Sequence, residues 1–558
     1  MPRTQNLNEV LKPNEMPSFW GSVARPELPT KIKLVYAIGW IVALFAAGLQ
    51  NNLTIANINQ IQGYLGITPA EGAILTACYY MGYAWTSVVL FKMRQQFGMR
   101  IFFGGVVMIL CIAHIIQMFS DSFYIYAFSR FLNGLVGSGL STFCAYYAMQ
   151  MLPKTKTYLV MCVSVGLMQV GSPFARWLDP FLMLGEDAHL VAYIDMGTTL
   201  FVLAAYLLIE LPPSQLGKAF SIKDIPSLAL YAIGTATFCL IFSVGNIIWW
   251  DKPWIAYGIC IGIVCIVGFF LIEINRVRPL INFSFVGTLQ VFKLALAGAF
   301  ARMCLTEQTT GATGLFRNVL GYTDYQLANY YGIVALGALF GGVSCIAMMG
   351  YKRTSIILII SFAMLIVGSF ASTNLSPQIT PNQLYIPQFL IAAASVFFIG
   401  PLFAEGIVVS LPRGGGYVLT FIAIFSFSQS VFGQLGSALV TTFIKVRTAS
   451  RLQDIINHAP DTNPAISTNP DFVTEITKQA GVMAYSDLFS IVGYMAIGIF
   501  LFLVLHWLYF AVGKKTAVDR ELAILGRRTA IANLKTKTFL DELEKRRLQE
   551  GRSYDAHF

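Results

Sequence analysis

One arginine interrupts a long apolar stretch between residues 124 and 151. At helical spacing, Arg130 shares one face with Asn133, Gly134 and Gly137. A guanidinium costs roughly 2.5–3.5 kcal/mol at the centre of a membrane helix, so we expect this charge to face a polar cavity. The glycines would let a neighbouring helix or a ligand approach closely. The pattern predicts a fixed charge inside a helix bundle; the alternative is a structural arginine that is paired near a membrane face.

Amide side chains are dense at the end of the first apolar stretch, where Asn51, Asn52, Thr54 and Asn57 lie close together. Hydrocarbon supplies no hydrogen-bond partners. These side chains are therefore candidates to line a polar cavity, and hydrogen bonding between packed helices is the alternative.

Carboxylates within apolar stretches are candidates for proton exchange, because an acidic group away from water can load and release a proton. Asp195 stands alone in one such stretch, and Glu307 opens a polar patch that continues with Gln308. Arg302 precedes Glu307 by five residues, about 140° around a helix, so the two should face different partners. For Glu307 the alternative is a buried structural pair.

The fifth apolar stretch combines Gln169 with Gly171 and Pro173. Glycine and proline weaken or bend a helix and permit close packing. This segment is therefore either a moving gate or a site of simple helix packing. Near the end of this stretch, the spacing of Arg176 and Asp179 predicts a local ion pair.

The composition indicates the elements that hold these residues. Of the 558 residues, 56% are hydrophobic and 12% are charged, against about 25% charged in soluble domains. A span needs about 20 apolar residues, and the chain supplies fourteen such stretches. These stretches lie between residues 34 and 511, with a polar segment at 1–33 before them, a long outer loop at 446–482 and a tail of helix-forming composition at 513–558.

Basic residues are distributed unevenly about these spans. Of the 38 Lys and Arg residues, 28 fall on the side of the two termini and six on the other. The positive-inside rule then puts both termini in the cytoplasm, and we expect the protein in the inner membrane. This distribution assigns the net charge of +10 to a membrane face rather than to nucleic acid.

No enzyme motif stands out in the polar segments, which lack a nucleotide loop, a metal cluster and a nucleophile triad. The nine cysteines lie in apolar stretches without metal-ligand spacing. Neither a cofactor nor a metal is therefore predicted. Within 446–482, two short amphipathic helices are predicted around a proline turn. Three roles stay open for this segment, namely docking of a partner protein, an outer gate and a solvated linker.

Several local patterns agree, in order, with one known family. These are Asn52–Asn57, Gln96–Arg100, Arg130 with its glycines, Gly166–Pro173 and Leu320–Thr323. Together they resemble the major facilitator superfamily, specifically its fourteen-span drug:proton antiporter branch of the EmrB/QacA type. The resemblance implies an all-α membrane fold of two six-helix bundles, at 34–210 and 290–511, with two extra central spans at 226–273. A cytoplasmic segment at 1–33 and a cytoplasmic helix at 513–558 flank them. The two bundles would alternate access to a midplane cavity.

The resemblance also implies roles. The expected activity is proton-driven efflux of amphipathic compounds, with the lipid bilayer, protons and a small-molecule substrate as partners and a periplasmic adaptor at 446–482 as a further one. The charged residues of this hypothesis are Arg130, Glu307, Asp195, Asp179 and Arg302. The substrate contacts are Asn51, Asn52, Thr54, Asn57, Asn133, Gln169, Tyr80, Tyr146 and Gln308. The gating residues are Gly134, Gly137, Gly171 and Pro173.

One departure from the branch affects the coupling. The aspartate of the span-1 pattern is Asn52 here, and an amide does not titrate near neutral pH. The counter-charge of Arg130 must then be Asp195, Asp179 or Glu307. Two alternatives stay open, which are an exporter of one defined metabolite, such as a siderophore or a lipid-like molecule, and a non-transporting receptor or scaffold with the same fold.

Overall fold

The computed structural model describes residues 28–152, 157–182, 189–211, 219–276, 279–350, 353–413, 415–458 and 470–512, with isolated positions at 24, 26, 217, 527, 531 and 534. Throughout these ranges the secondary structure is helical, with turns and bends between helices and without strands.

Six long helices form the first half and two more follow it. They are α1 (Thr30–Ala56), α2 (Pro69–Phe97), α3 (Met99–Met118), α4 (Phe123–Met151), α5 (Thr157–Leu167, then Gly171–Leu182), α6 (His189–Leu208), α7 (Asp224–Ile248) and α8 (Pro253–Ile274). The second half contains α9 (Leu289–Thr306, continued by Glu307–Ala312 and Leu315–Val319), α10 (Ala328–Met348), α11 (Thr354–Ala371), α12 (Tyr385–Ser410), α13 (Gly415–His458) and α14 (Pro470–Val512).

Local signals at both ends of α2 show why this helix begins and ends where it does. Thr68 and Glu71 form a capping box, and Pro69 occupies the first helical position, where its missing N–H costs nothing. The helix ends at Gly98, whose φ of 83° lies in the region that favours glycine. These signals fix the ends of the helix on which Tyr79 and Tyr80 lie.

Eleven helices in the described part of the chain are long and apolar enough to cross a membrane. They are α1 to α3, α6 to α8 and α10 to α14. The chain is therefore an all-helical, multi-pass membrane protein. The other three long helices, α4, α5 and α9, contain the intramembrane arginines or the interruptions of regular α-helix.

Each half packs around its own hydrophobic core. One core gathers side chains of α1, α3, α4 and α6, and the larger one gathers side chains of α9 to α14. The hairpin of α7 and α8 lies between the halves, since α7 packs against both α2 and α13. Its polar contacts reach both: Lys92 of α2 pairs with Asp224 at 3.2 Å, and Ser243 donates to Gln434 of α13 at 3.0 Å.

The predicted outer loop at 446–482 is largely helical. Helix α13 continues without a break to His458, and α14 begins at Pro470, so the two predicted short helices are extensions of the long ones. The extensions are held together by Asp487, which pairs with Arg447 at 2.6 Å and with Arg451 at 2.8 Å. The predicted proline turn and almost all of the tail at 513–558 lie outside the described residues.

Close helix packing around Gly134 supports one prediction on stability. A Cβ on Gly134 would lie 2.0 Å from the carbonyl oxygen of Tyr79, so α2 and α4 would have to separate. We expect Gly134→Ala to destabilise the protein by about 1–3 kcal/mol, the usual cost of overpacking, and to lower its melting temperature in detergent. Gly105→Ala is the matched control, since a Cβ there meets nothing within 4 Å. Equal melting temperatures for the two variants would contradict the packing.

Candidate functional site

Arg130 is completely buried within the bundle, with 0% of its surface exposed. Its Nη2 donates to Oδ1 of Asn51 at 2.5 Å, and its guanidinium lies 5.2 Å from the ring centre of Tyr79. Its Nε and Nη1 have no hydrogen-bond partner among the described residues. The arginine therefore faces the interior of the protein, with a cation–π contact and with donor capacity left over.

The arginine of α9 lies against α13. The ideal Cβ position at Gly433 of α13 is 3.2 Å from Nε of Arg302, and this Nε has no hydrogen-bond partner among the described residues. Arg302 also interacts electrostatically with Tyr80 of α2.

Asp195 of α6 is a carboxylate without a described polar contact. It is fully buried, and neither of its carboxylate oxygens has a hydrogen-bond partner in the part of the chain described. Arg130 interacts with it electrostatically, although the structure shows no ion pair within 4.0 Å between described atoms of the two. Which of the three carboxylates balances the charge of Arg130 stays a prediction.

Glu307 lies in the second half and is also fully buried. Ser369 of α11 donates to its Oε2 at 2.7 Å, and Gln388 of α12 donates to its Oε1 at 3.5 Å. Arg302, which is on the same helix, instead lies against Gly433 of α13. As the spacing predicts, the two charged residues of α9 face different partners.

The predicted ion pair between Arg176 and Asp179 is wrong. Arg176 reaches across to the other half, where its Nη1 donates to the carbonyl oxygen of Thr309 at 3.2 Å and to the hydroxyl of Thr313 at 2.8 Å. Asp179 is 3% exposed, and its Oδ1 has no hydrogen-bond partner among the described residues. The long guanidinium thus links α5 to α9, because free acceptors there lie within its reach.

The amide-rich segment of α1 contributes both paired and unpaired groups. Asn52 donates to the backbone oxygen of Gly48 at 2.6 Å, and Asn57 donates to that of Leu53 at 2.9 Å. The hydroxyl of Thr54 and both polar atoms of the Gln50 side chain are buried without a hydrogen-bond partner in the described ranges. Buried polar groups rarely lack a hydrogen-bond partner. The side chains of Gln50 and Thr54 therefore indicate that a ligand or water lies between the helices.

Three predicted substrate contacts lie elsewhere. Asn133 packs between α3 and α4, where it donates to Gln117 at 3.3 Å. Gln308 donates to the backbone oxygen of Gln388 at 2.9 Å. The ring of Tyr146 stacks on the guanidinium of Arg94 at 4.6 Å, and its position on α4 is about 24 Å from Arg130 at 1.5 Å per residue. Gln169 is half-buried in the 3-10 turn that interrupts α5.

The predicted gating glycines lie at close helix contacts. A Cβ on Gly137 would lie 2.6 Å from the hydroxyl of Tyr79, and one on Gly171 would lie 2.2 Å from the carbonyl oxygen of Gly48. Pro173 follows the 3-10 turn at Met168–Val170 and is half-buried. Movement at these positions stays a prediction.

Sequence reasoning missed three features. Two stretches of α9, Glu307–Ala312 and Leu315–Val319, are π-helical, a form that is frequent at functional sites. The second feature is Glu405 of α12, which is half-buried. Its position as a lone carboxylate in an apolar stretch could have identified it as a candidate site residue. The third feature is Arg94. It was among the 28 basic residues assigned to the side of the two termini, yet it lies in α2 and is 1% exposed.

One known protein family matches the sequence over most of its length. A sequence profile of the Major Facilitator Superfamily matches residues 40–445. No curated protein matches the sequence.

Several solved structures share the fold. One from work on proton dependent oligopeptide transporters has a TM-score of 0.55 at 13% identity and covers 89% of this chain and 100% of that one. The human organic anion transporter MFSD10 (TETRAN) has a TM-score of 0.51 at 12% identity and covers 84% and 100%. A bacterial homologue of the human drug peptide transporters PepT1 and PepT2 has a TM-score of 0.51 at 12% identity and covers 87% and 99%. At such identities the similarity concerns the fold alone.

Proposed function

Since the chain belongs to the Major Facilitator Superfamily, we propose that it is a secondary active transporter that exports amphipathic small molecules across the inner membrane in exchange for protons. In this proposal all fourteen long helices span the membrane, and both termini are cytoplasmic. The halves at 34–210 and 290–511 rock about a central site, and α7 and α8 are the two extra spans.

One observation carries the proposal, namely that arginines make polar contacts inside the bundle. Arg130 is hydrogen-bonded to Asn51, and Arg176 donates to Thr309 and Thr313 of the other half. In alternating access the substrate binds where the two halves meet, near the midplane. Intramembrane charges are costly to bury and mark transport pathways. The contact of Arg176 with α9 crosses between the halves, so it can respond to their relative movement.

Proton exchange is assigned to the buried carboxylates. Asp195 is the first candidate because it has no hydrogen-bond partner within the described ranges and it interacts with Arg130. Glu307 is the second, since its described partners are the neutral Ser369 and Gln388. Either group could take the role that the family branch gives to the aspartate replaced here by Asn52.

Export of one defined metabolite is the second candidate function. The unpartnered side chains of Gln50 and Thr54 favour it, because buried donors and acceptors reward a substrate that satisfies them and penalise one that does not. A site that binds apolar compounds of many kinds gains less from buried hydrogen-bonding side chains.

The extended hairpin of α13 and α14 is the proposed position of a periplasmic adaptor. Helix α13 has 44 residues and α14 has 43, which is about twice the length that a span requires. The Asp487 pairs stiffen the base of the hairpin. Such a rigid projection would offer an adaptor a defined surface.

The test is transport by the purified full chain in proteoliposomes with an imposed pH gradient. We expect members of a panel of amphipathic dyes and metabolites to move only in vesicles that contain the protein, together with a measurable proton flux. Substrate movement without proton flux would refute exchange. Binding without movement of any compound would favour the receptor alternative.

A further inference from the structure

Two cysteines from opposite halves of the protein meet inside the bundle. Sγ of Cys162 on α5 lies 3.9 Å from Sγ of Cys345 on α10, although the two residues are 183 positions apart in the sequence. Each of them is 2% exposed. They belong to a small apolar cluster that includes Ile357, Phe397 and Ala404. The pair is therefore a contact between the halves that is shielded from water in this conformation.

The cysteine pair lies at one end of a long contact between α5 and α10, which run in opposite directions. The ideal Cβ position at Gly332 is 3.0 Å from the ring of Trp177, and the one at Gly342 is 2.3 Å from the side chain of Leu167. The cysteine pair is the next contact toward the beginning of α5 and the end of α10. In the proposed topology consecutive spans alternate in direction, so these ends lie on the cytoplasmic face, where α1 begins.

Helix α12 packs against one of the two sulfurs. A Cβ on Gly400 would lie 2.8 Å from Sγ of Cys162, so the backbone of α12 passes directly beside this thiol. A bulky adduct on Cys162, such as glutathione, would therefore collide with α12 while the halves are in contact. The thiol of Cys345 is already adjacent, and an S–S bond of about 2.05 Å requires the two sulfurs to approach by roughly 2 Å.

We propose that Cys162 and Cys345 form a redox modification site, at which a disulfide holds the two halves together on the cytoplasmic side. The pairing rests on the distance between the two sulfurs. The orientation and the effect on activity rest on the transporter proposal. The cytoplasm keeps thiols reduced, so the disulfide would form under oxidising conditions and stop the alternation of the halves.

A peroxide is the class of oxidant that the site requires. When the halves separate on this side, the buried thiols become reachable. Hydrogen peroxide then converts one thiol to a sulfenic acid and releases water. When the halves close, the other thiol attacks that sulfur, the S–S bond forms and a second water leaves. In total the two thiols lose two electrons and two protons, which reduce one peroxide molecule to two waters.

The test treats the purified full chain in proteoliposomes with hydrogen peroxide while an amphipathic dye is being transported. Mass spectrometry measures the fraction of molecules in which the peptide that contains Cys162 is joined to the peptide that contains Cys345. Initial rates of dye movement are measured on the same vesicles. We expect transport to fall in proportion to the joined fraction, and dithiothreitol to restore it by thiol–disulfide exchange.

Three serine variants supply the controls. Cys162→Ser and Cys345→Ser each remove one thiol of the pair, so both should keep their untreated rate after peroxide. Cys304→Ser is the matched control, because Cys304 is equally buried, at 1% exposed, and lies on α9. This variant should stay as sensitive to peroxide as the unsubstituted chain. Joined molecules that transport at the full rate would overturn the inference.

The joined peptides separate this inference from the transporter proposal. Joined peptides and a raised melting temperature after peroxide, without movement of any dye before or after treatment, would support the cysteine site and refute the transporter. Dye transport that peroxide leaves without joined peptides would support the transporter and overturn the cysteine site.

Discussion

Replacement of Arg130 by glutamine is expected to reduce transport by about 10- to 100-fold, the equivalent of the roughly 1.5–3 kcal/mol that a hydrogen bond to a charged group contributes. The guanidinium is wholly buried and makes a hydrogen bond to Asn51 and a cation–π contact with Tyr79. An exported substrate would lose both its hydrogen bonds and the local positive field. Initial rates in proteoliposomes at matched protein density measure the effect.

Stability distinguishes this role from a structural one. A buried charge without an ion-pair partner is costly to the folded state, so Arg130→Gln should not lower the melting temperature of the purified protein. The double variant with Asn51→Ala should be no slower than the single one, because the two residues act through one contact. A lower melting temperature together with near-normal transport would make Arg130 a packing residue.

Replacement of Asp195 by asparagine is expected to uncouple substrate movement from the pH gradient. One pH unit corresponds to about 1.4 kcal/mol, or about a tenfold concentration ratio for each exchanged proton. Without a residue that carries the proton, the pH gradient should no longer drive substrate accumulation, so the substrate should reach equal concentrations on both sides of the membrane. Exchange of labelled for unlabelled substrate should continue. Accumulation and counterflow are measured on the same vesicles, with the membrane potential clamped.

Glu307→Gln tests the second carboxylate by the same two measurements. Because Ser369 and Gln388 already hydrogen-bond Glu307, the amide can keep at least the contact with Ser369, and the fold should be preserved. Loss of accumulation in this variant alone would move the proton site to the second half. Unchanged accumulation in both variants and in their combination would remove both residues as carriers.

Much of the helical framework was predictable from the sequence. Every one of the fourteen apolar stretches falls on helical residues, since a stretch that spans hydrocarbon must satisfy its own backbone hydrogen bonds. The burial of Arg130 also followed from its position within one of them. Family membership agrees with the ordered motifs from Asn52 to Thr323, although the particular branch stays a prediction.

The partners of the site residues could not be predicted, because packing sets them over long separations. Asn51 lies 79 residues from Arg130, and the acceptors of Arg176 lie 133 and 137 residues away. The local rule of three or four residues suggested Asp179 for Arg176, yet the other half offered better-placed acceptors. Helical periodicity likewise assumes a regular α-helix, so the π-helical stretches of α9 had no signal in it, whereas Gly171 and Pro173 did mark the region where α5 is interrupted.

The π-helical stretches of α9 have a consequence for aligning this sequence with others. A π turn accommodates one residue more than an α turn, so in evolutionary terms each stretch is equivalent to a single-residue insertion. Each insertion rotates everything that follows by about 100°. Arg302 precedes both stretches and keeps its face, whereas residues after Ala312 are turned away from the positions that a gap-free alignment would give them. Correspondences drawn beyond Glu307 with a chain whose helix is regularly α-helical therefore require a gap at each of these two stretches.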